Sequence, residues 1–217
     1  MKSSPQGSAD PTAPTAAPWF YRQRFTVFGI VYGLAFYVGF LIVHLAGTSP
    51  LPVYRALGHP SALFTLAATA IIGGYALRVW ASSYISSAIV WSNDPLSTKL
   101  RVSGPYRFTR NPLYLGNILQ SIGIGLVTPW PVCVLIVAGV FVLDYGLIVV
   151  EERFLMRQQG EAYERYCATV PRLFPIPGKS APPGDQPASL RDGLRAEVMI
   201  SLFSIAIFVL VASATRS

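Results

Sequence analysis

Two stretches carry the residues able to do chemistry. The first is Gly104-Pro-Tyr-Arg-Phe-Thr-Arg-Asn-Pro-Leu-Tyr-Leu-Gly116. Its Asn111-Pro112 step reads as a helix start, because Asn favours the N-cap and Pro loses nothing at the first helical position. A helix start presents unpaired N–H groups and the positive end of a dipole, which suits a ligand carboxylate or phosphate. Arg107 and Arg110 stand just before it, and Tyr106 and Tyr114 flank it. The second stretch runs from Glu151 to Pro171 and opens on two carboxylates, Glu151-Glu152, where an apolar run ends. Either could take a proton from an amine or hydroxyl acceptor, Glu152 being the weak catalytic candidate. No Ser/His/Asp or Cys/His set accompanies them. Cys133 and Cys167 have neither metal-ligand nor disulfide spacing and read as free thiols.

The elements that must position these stretches are membrane helices. The chain has 217 residues, 52% apolar and only 12% charged, with a mean hydropathy of +0.46. Soluble domains are roughly 25% charged. The net charge of +7 therefore speaks for membrane topology and against nucleic acid as a partner. The expected fold is all-α: a polytopic helical membrane protein with about five transmembrane helices.

Residues 1–18, rich in Pro, Ala, Ser and Thr, read as a disordered tail. Trp19 to Arg24 reads as an interfacial anchor. A membrane domain over 19–175 holds spans at about 25–46, 61–81, 112–128 and 132–150. A Pro-rich connector at 176–193 and a C-terminal transmembrane helix within 194–217 follow. Gly29-x-x-x-Gly33 and Ala35-x-x-x-Gly39 give the first span a small-residue face suited to close helix contact. Pro129-Trp130-Pro131 turns the third and fourth spans into an antiparallel hairpin.

With the N-terminus inside, five spans put fourteen of the seventeen Lys and Arg residues on the cytoplasmic face and leave only Arg55 and Arg216 outside. Both chemical stretches then share the cytoplasmic face, while His44 and His59 lie opposite. Asp144, Ile148 and Glu151 fall on one helix face at i, i+4 and i+7. A carboxylate within a span calls for a partner, and Arg78 in the second span is the one expected for Asp144.

Taken together, Gly104-Pro-Tyr-x-x-x-Arg-Asn-Pro-Leu-Tyr-x-Gly116, Glu151-Glu152 and Gly160-Glu-x-Tyr163-x-x-Tyr166-x-x-x-Val170-Pro171 resemble the isoprenylcysteine carboxyl methyltransferase family over about residues 60–175. That family stands among integral membrane methyltransferases that include phospholipid and thiol methyltransferases. The resemblance implies S-adenosyl-L-methionine bound at the cytoplasmic membrane edge. The residues it implies for the cofactor are Thr98, Lys99, Leu100 and Arg101, then Tyr106, then Asn111, Pro112, Leu113 and Tyr114, and finally Glu151. A helix start with nearby Arg suits the cofactor's carboxylate, Glu151 its ammonium, and aromatic faces its sulfonium and adenine.

Two positions depart from the family. Its usual His is Asn111 here, which cannot titrate near neutral pH. The Arg that eukaryotic members place one turn before the glutamate is Leu147.

The expected activity is methyl transfer from S-adenosylmethionine to a lipophilic acceptor, isoprenylcysteine carboxylate-like, drawn from the bilayer, in a protein of a bacterial inner membrane. The alternatives are a phospholipid amine or thiol methyltransferase, an NADPH-dependent sterol-type reductase sharing the membrane fold, and a non-catalytic membrane scaffold. No metal is expected.

Overall fold

The computed structural model describes residues 22–46, 53–56, 58, 60–85 and 100–214. The expectations for the N-terminal tail, for Trp19 to Tyr21 and for Thr98 and Lys99 fall outside these. All regular structure among the described residues is helical: α1 (Arg24–Ala46), α2 (Val53–Ala56), α3 (Pro60–Ser82), a 3-10 turn (Gly104–Arg107), α4 (Pro112–Leu126), α5 (Trp130–Gln159), α6 (Glu161–Thr169) and α7 (Leu190–Ala214).

Helix length decides which of these can cross a bilayer. Three are long and apolar enough, over Arg24–Ile42, Pro60–Ser82 and Trp130–Gln159. The Leu190–Ile200 and Leu202–Leu210 parts of α7, bent by 40°, count as a fourth span if taken as one. The expected span at 112–128 is only the 15-residue α4. That is about 22 Å of helix, short of the ~30 Å hydrocarbon core. Length and composition thus support three or four spans, where five were expected. The 30 residues of α5 reach about 45 Å, so the end carrying Glu151 and Glu152 continues past the hydrocarbon. Gly160, at φ +50, breaks the chain into α6.

Close helix contact falls where α3 meets α4. A methyl group on Gly74 would stand 2.7 Å from the Gly116 carbonyl oxygen, and one on Gly123 would stand 2.6 Å from that of Ala67. Backbone approaches of this kind replace the hydrophobic driving force that lipid removes. In α1 the expectation holds only in part. Ala35 is buried and Gly39 sits against Val132, but a methyl group on Gly29 or Gly33 would meet nothing within 4 Å. Two apolar clusters join the helices. Ala35, Ile71, Ile124, Val132 and Ile136 bind α1, α3, α4 and α5. Tyr114, Leu115 and Ile118 of α4 pack on Leu147 and Ile148 of α5.

The pairing expected for Arg78 is different in the folded chain. Arg78 Nε donates to Glu197 Oε2 of α7 at 2.6 Å, and Ser82 Oγ donates to Glu197 Oε1 at 2.6 Å. Arg78 Nη1 donates to Asn117 Oδ1 at 2.5 Å, and Asn117 Nδ2 donates to Asp144 Oδ1 at 3.1 Å. Asn117 thus stands between the two groups expected to pair. Linear distance hides this arrangement, because a Pro-rich connector brings α7 back against α3, where Gly193 allows contact with Val79 and Ser83. Arg78, Glu197 and Asp144 are all buried. Removing one partner of a buried pair strands the other, at about 3–5 kcal/mol. Glu197→Ala should therefore lower the thermal midpoint in detergent more than Asp144→Asn does, and Arg78→Met with Glu197→Leu should recover part of the loss.

Candidate functional site

The Gly104–Gly116 stretch is built on a backbone constraint. Gly104 has φ +59, and a methyl group there would strike the Tyr84 ring. The 3-10 turn that follows buries Tyr106, whose carbonyl accepts from Tyr166 Oη at 2.6 Å. The chain then runs past Arg110, whose N–H donates to the Pro171 carbonyl at 2.9 Å, into α4. Pro112 takes the first helical position as expected, but Asn111 makes no side-chain cap. Its amide turns away from the helix, Nδ2 donating to Glu152 Oε1 at 3.1 Å and to the Arg172 carbonyl at 2.9 Å. A charged acceptor and the Arg172 carbonyl, which also accepts from Thr109 Oγ1 at 3.5 Å, outcompete the local cap.

Glu152 is a junction. Beyond Asn111 it has Arg110 Nε 3.0 Å from Oε1, an ion pair without hydrogen-bond alignment. Arg172 brings Nε and Nη2 each to 2.9 Å from Oε2. These donors occupy the carboxylate, and Glu152 is not on the wall of the main cavity. The geometry therefore favours a structural role over that of a base. Glu151, the next position round the helix, does line the cavity.

That cavity measures about 530 Å³ and gathers the predicted residues from separate segments. Leu100, Arg101, Tyr106, Asn111, Pro112, Leu113, Tyr114 and Glu151 all line it. Its chemistry is divided. One set of lining residues is charged and aromatic: Arg101, Arg110 and Glu151 with Tyr106, Tyr163 and Tyr166. Burial pushes these three phenols up from their ordinary values, so they remain neutral hydrogen-bonding rings at physiological pH. The other set is apolar, with Phe25 and Phe28 of α1, Val140 of α5, and Met199 and Phe203 of α7. The Tyr32 and Phe203 rings meet edge to face, 6.5 Å apart, between α1 and α7.

Tyr106 Oη and Arg101 Nε are buried with no hydrogen-bond partner among the described residues. Leu147, the position at which the resemblance led an Arg to be expected, is fully buried in the α4–α5 core and does not line the cavity. Both cysteines are free thiols. Among the described residues no group of three or more His, Cys, Asp or Glu is placed to hold a metal ion.

Sequence reasoning assigned no role to Tyr163, Tyr166 or Arg172. Their signal was present in the Gly160-Glu-x-Tyr-x-x-Tyr and Pro171-Arg172 spacing, which puts both tyrosines on one face of α6. Glu152→Ala should cost about 3 kcal/mol of stability by stranding Arg110 and Arg172. Asn111→Ala should cost about 1–3 kcal/mol by leaving buried partners unmet. Glu161→Ala, which removes only the exposed 3.7 Å pair with Arg165, should leave the thermal midpoint unchanged. Thermal unfolding of the three variants in detergent checks the order.

Comparison with known proteins gives two relatives. The nickel-cobalt-cadmium resistance protein NccN of Alcaligenes xylosoxydans xylosoxydans is 29% identical over 115 residues, 53% of this chain and 51% of that protein. The cobalt-zinc-cadmium resistance protein CzcN of Cupriavidus metallidurans is 34% identical over 99 residues, 45% of this chain and 42% of that protein. The chain spans about half the length of the curated relatives it matches. No solved structure gives a significant match. Residues 62–162, which hold α3, the Gly104–Gly116 turn, α4, α5 and the cavity residue Glu151, match the phospholipid methyltransferase family, membrane methyltransferases that include the isoprenylcysteine carboxyl methyltransferases.

Proposed function

We propose that the protein is an integral membrane methyltransferase that uses S-adenosyl-L-methionine and acts on a lipophilic acceptor. One observation carries the reading: eight residues from the loop, the 3-10 turn, the α4 start and the α5 end line a single cavity whose charges complement an amino acid. Arg101 and Arg110 suit a carboxylate and Glu151 suits an ammonium. The rings of Tyr106, Tyr114, Tyr163 and Tyr166 offer faces to a sulfonium and an adenine. The partnerless Tyr106 hydroxyl and Arg101 Nε are donors of the kind a polar ligand would engage.

Bound there, S-adenosylmethionine would supply a methyl group already activated by its sulfonium charge. The protein's own part is alignment and exclusion of water. The carboxylate-binding arginines and Glu151 fix one end of the ligand, and the aromatic walls desolvate the other. Phe25, Phe28, Met199 and Phe203 present an apolar surface to an acceptor arriving from the bilayer. No residue is assigned as a base, and a carboxylate or thiolate acceptor needs none. With Leu147 locked in the core, a prenylcysteine carboxylate would have no cation at the position that eukaryotic relatives use. A phospholipid amine or a thiol therefore stands beside it as the acceptor. The distribution of Lys and Arg supports a site on the cytoplasmic face. Since both relatives are metal-resistance proteins, growth in nickel, cobalt or cadmium is the phenotype in which loss of this protein would be read first.

Calorimetry on the detergent-purified protein tests the cofactor. S-adenosylhomocysteine should bind saturably, and Glu151→Ala should weaken it by about 10- to 100-fold through loss of a charge-assisted bond. Glu161→Ala should bind as the parent does. Equal effects of the two substitutions, or saturable NADPH binding in place of S-adenosylhomocysteine, would overturn the reading. Labelled methyl transfer into a lipid extract, followed by identification of the product, then names the acceptor.

A further inference from the structure

The connector between α6 and α7 carries six prolines and reads as a spacer, yet it is fastened at every stage of its course. Ala181 N–H donates to the Arg107 carbonyl at 2.9 Å, and Arg107 Nε returns a bond to the Ala181 carbonyl at 3.0 Å. Ser189 N–H donates to the Ser83 carbonyl at 2.7 Å. Between these points lies Gln186. Its Oε1 accepts from the N–H groups of Val102 and Ser103, each at 3.2 Å, and its Nε2 donates to the Leu100 carbonyl at 2.8 Å. Gly184 presses on the same place, where a methyl group would stand 2.7 Å from Ser103 Oγ and 2.9 Å from Val102 Cγ2.

The partner of this strap is the segment that most needs one. Residues 100–103 have no helix or strand to satisfy their backbone, and an unmet buried peptide group is costly. Leu100 and Arg101 nevertheless line the main cavity, so their main chain must hold one course. One side-chain amide here does the work of a neighbouring strand. It takes up three backbone groups on both sides of Arg101.

We propose that Gln186 is a positioning residue for ligand binding in the main cavity: through Leu100, Val102 and Ser103 it holds Arg101 at its place in the wall. The proposal rests on the reading of that cavity as an S-adenosylmethionine site. It extends the working site to a segment beyond residue 162, where the family match ends.

Two variants of the full chain in detergent test it. Gln186→Ala should raise the dissociation constant for S-adenosylhomocysteine about tenfold. It should also raise KM for S-adenosylmethionine with little change in kcat and speed hydrogen exchange at Val102 and Ser103, with a fall in thermal midpoint no larger than that of Asn111→Ala. Gln186→Glu keeps the acceptor but sets a carboxylate against the Leu100 carbonyl. Its affinity should recover on acidification, as the protonated acid regains a donor, whereas Gln186→Ala should show no such recovery. Parent-like affinity and exchange in Gln186→Ala would overturn the strap and leave the cofactor site standing. A parent protein that does not bind S-adenosylhomocysteine would remove the site itself, and with it any positioning role, even if exchange at Val102 and Ser103 still quickened.

Discussion

The arrangement of this protein turns on one carboxylate at the end of an apolar helix. Glu152 is met by Arg110, by Asn111 and by two nitrogens of Arg172, which bring the α4 start, the α5 end and the chain after α6 to one point. A buried carboxylate without such partners would be costly. The need to satisfy it therefore sets the level of α5 against α4. With that register set, Glu151 lines the same cavity as Arg101 and Arg110. Two adjacent glutamates thus differ in their surroundings, one closing the scaffold and the other lining the cavity.

Inside the bundle a second polar chain solves a different problem. Arg78, Ser82 and Glu197, and then Asn117 and Asp144, link α3, α7, α4 and α5 through buried hydrogen bonds. Ionisable groups at membrane depth are tolerated when they are paired, and here the pairing also docks the last helix. This docking has a consequence for the cavity, because Met199 and Phe203 of α7 join Phe25 and Phe28 of α1 in its apolar lining. The helices outside the family-matched segment, α1 and α7, thus contribute apolar lining of their own. The matched segment furnishes most of the charged lining, Arg78, Arg101, Arg110 and Glu151.

Membrane character, an all-helical fold, the helix start at Asn111-Pro112 and the two chemical stretches were legible from the chain itself. Each follows from local chemistry: apolar run length, proline at a first helical turn, and residue types at helical spacing. Family resemblance brought Leu100, Arg101, Tyr106, the Asn111–Tyr114 turn and Glu151 together as one set, and in the folded chain these residues line one cavity. What remained illegible were the choices made between distant partners. Arg78 chose Glu197 over Asp144, and Asn111 chose Glu152 and the Arg172 carbonyl over its own helix.

The same division holds for the connector and for the number of spans. Its prolines announced an extended segment, but only the packed structure shows Gln186 bonded to the backbone of residues 100–103. Hydropathy announced a span at 112–128, but packing against α3 and α5 accommodates a helix of 15 residues there. The sequence by itself determined which segments are helical and membrane-borne, because those depend on neighbours along the chain. Only the tertiary structure decided which charges meet and which residues face the cavity. Those outcomes depend on desolvation and on competition among groups that the sequence keeps far apart.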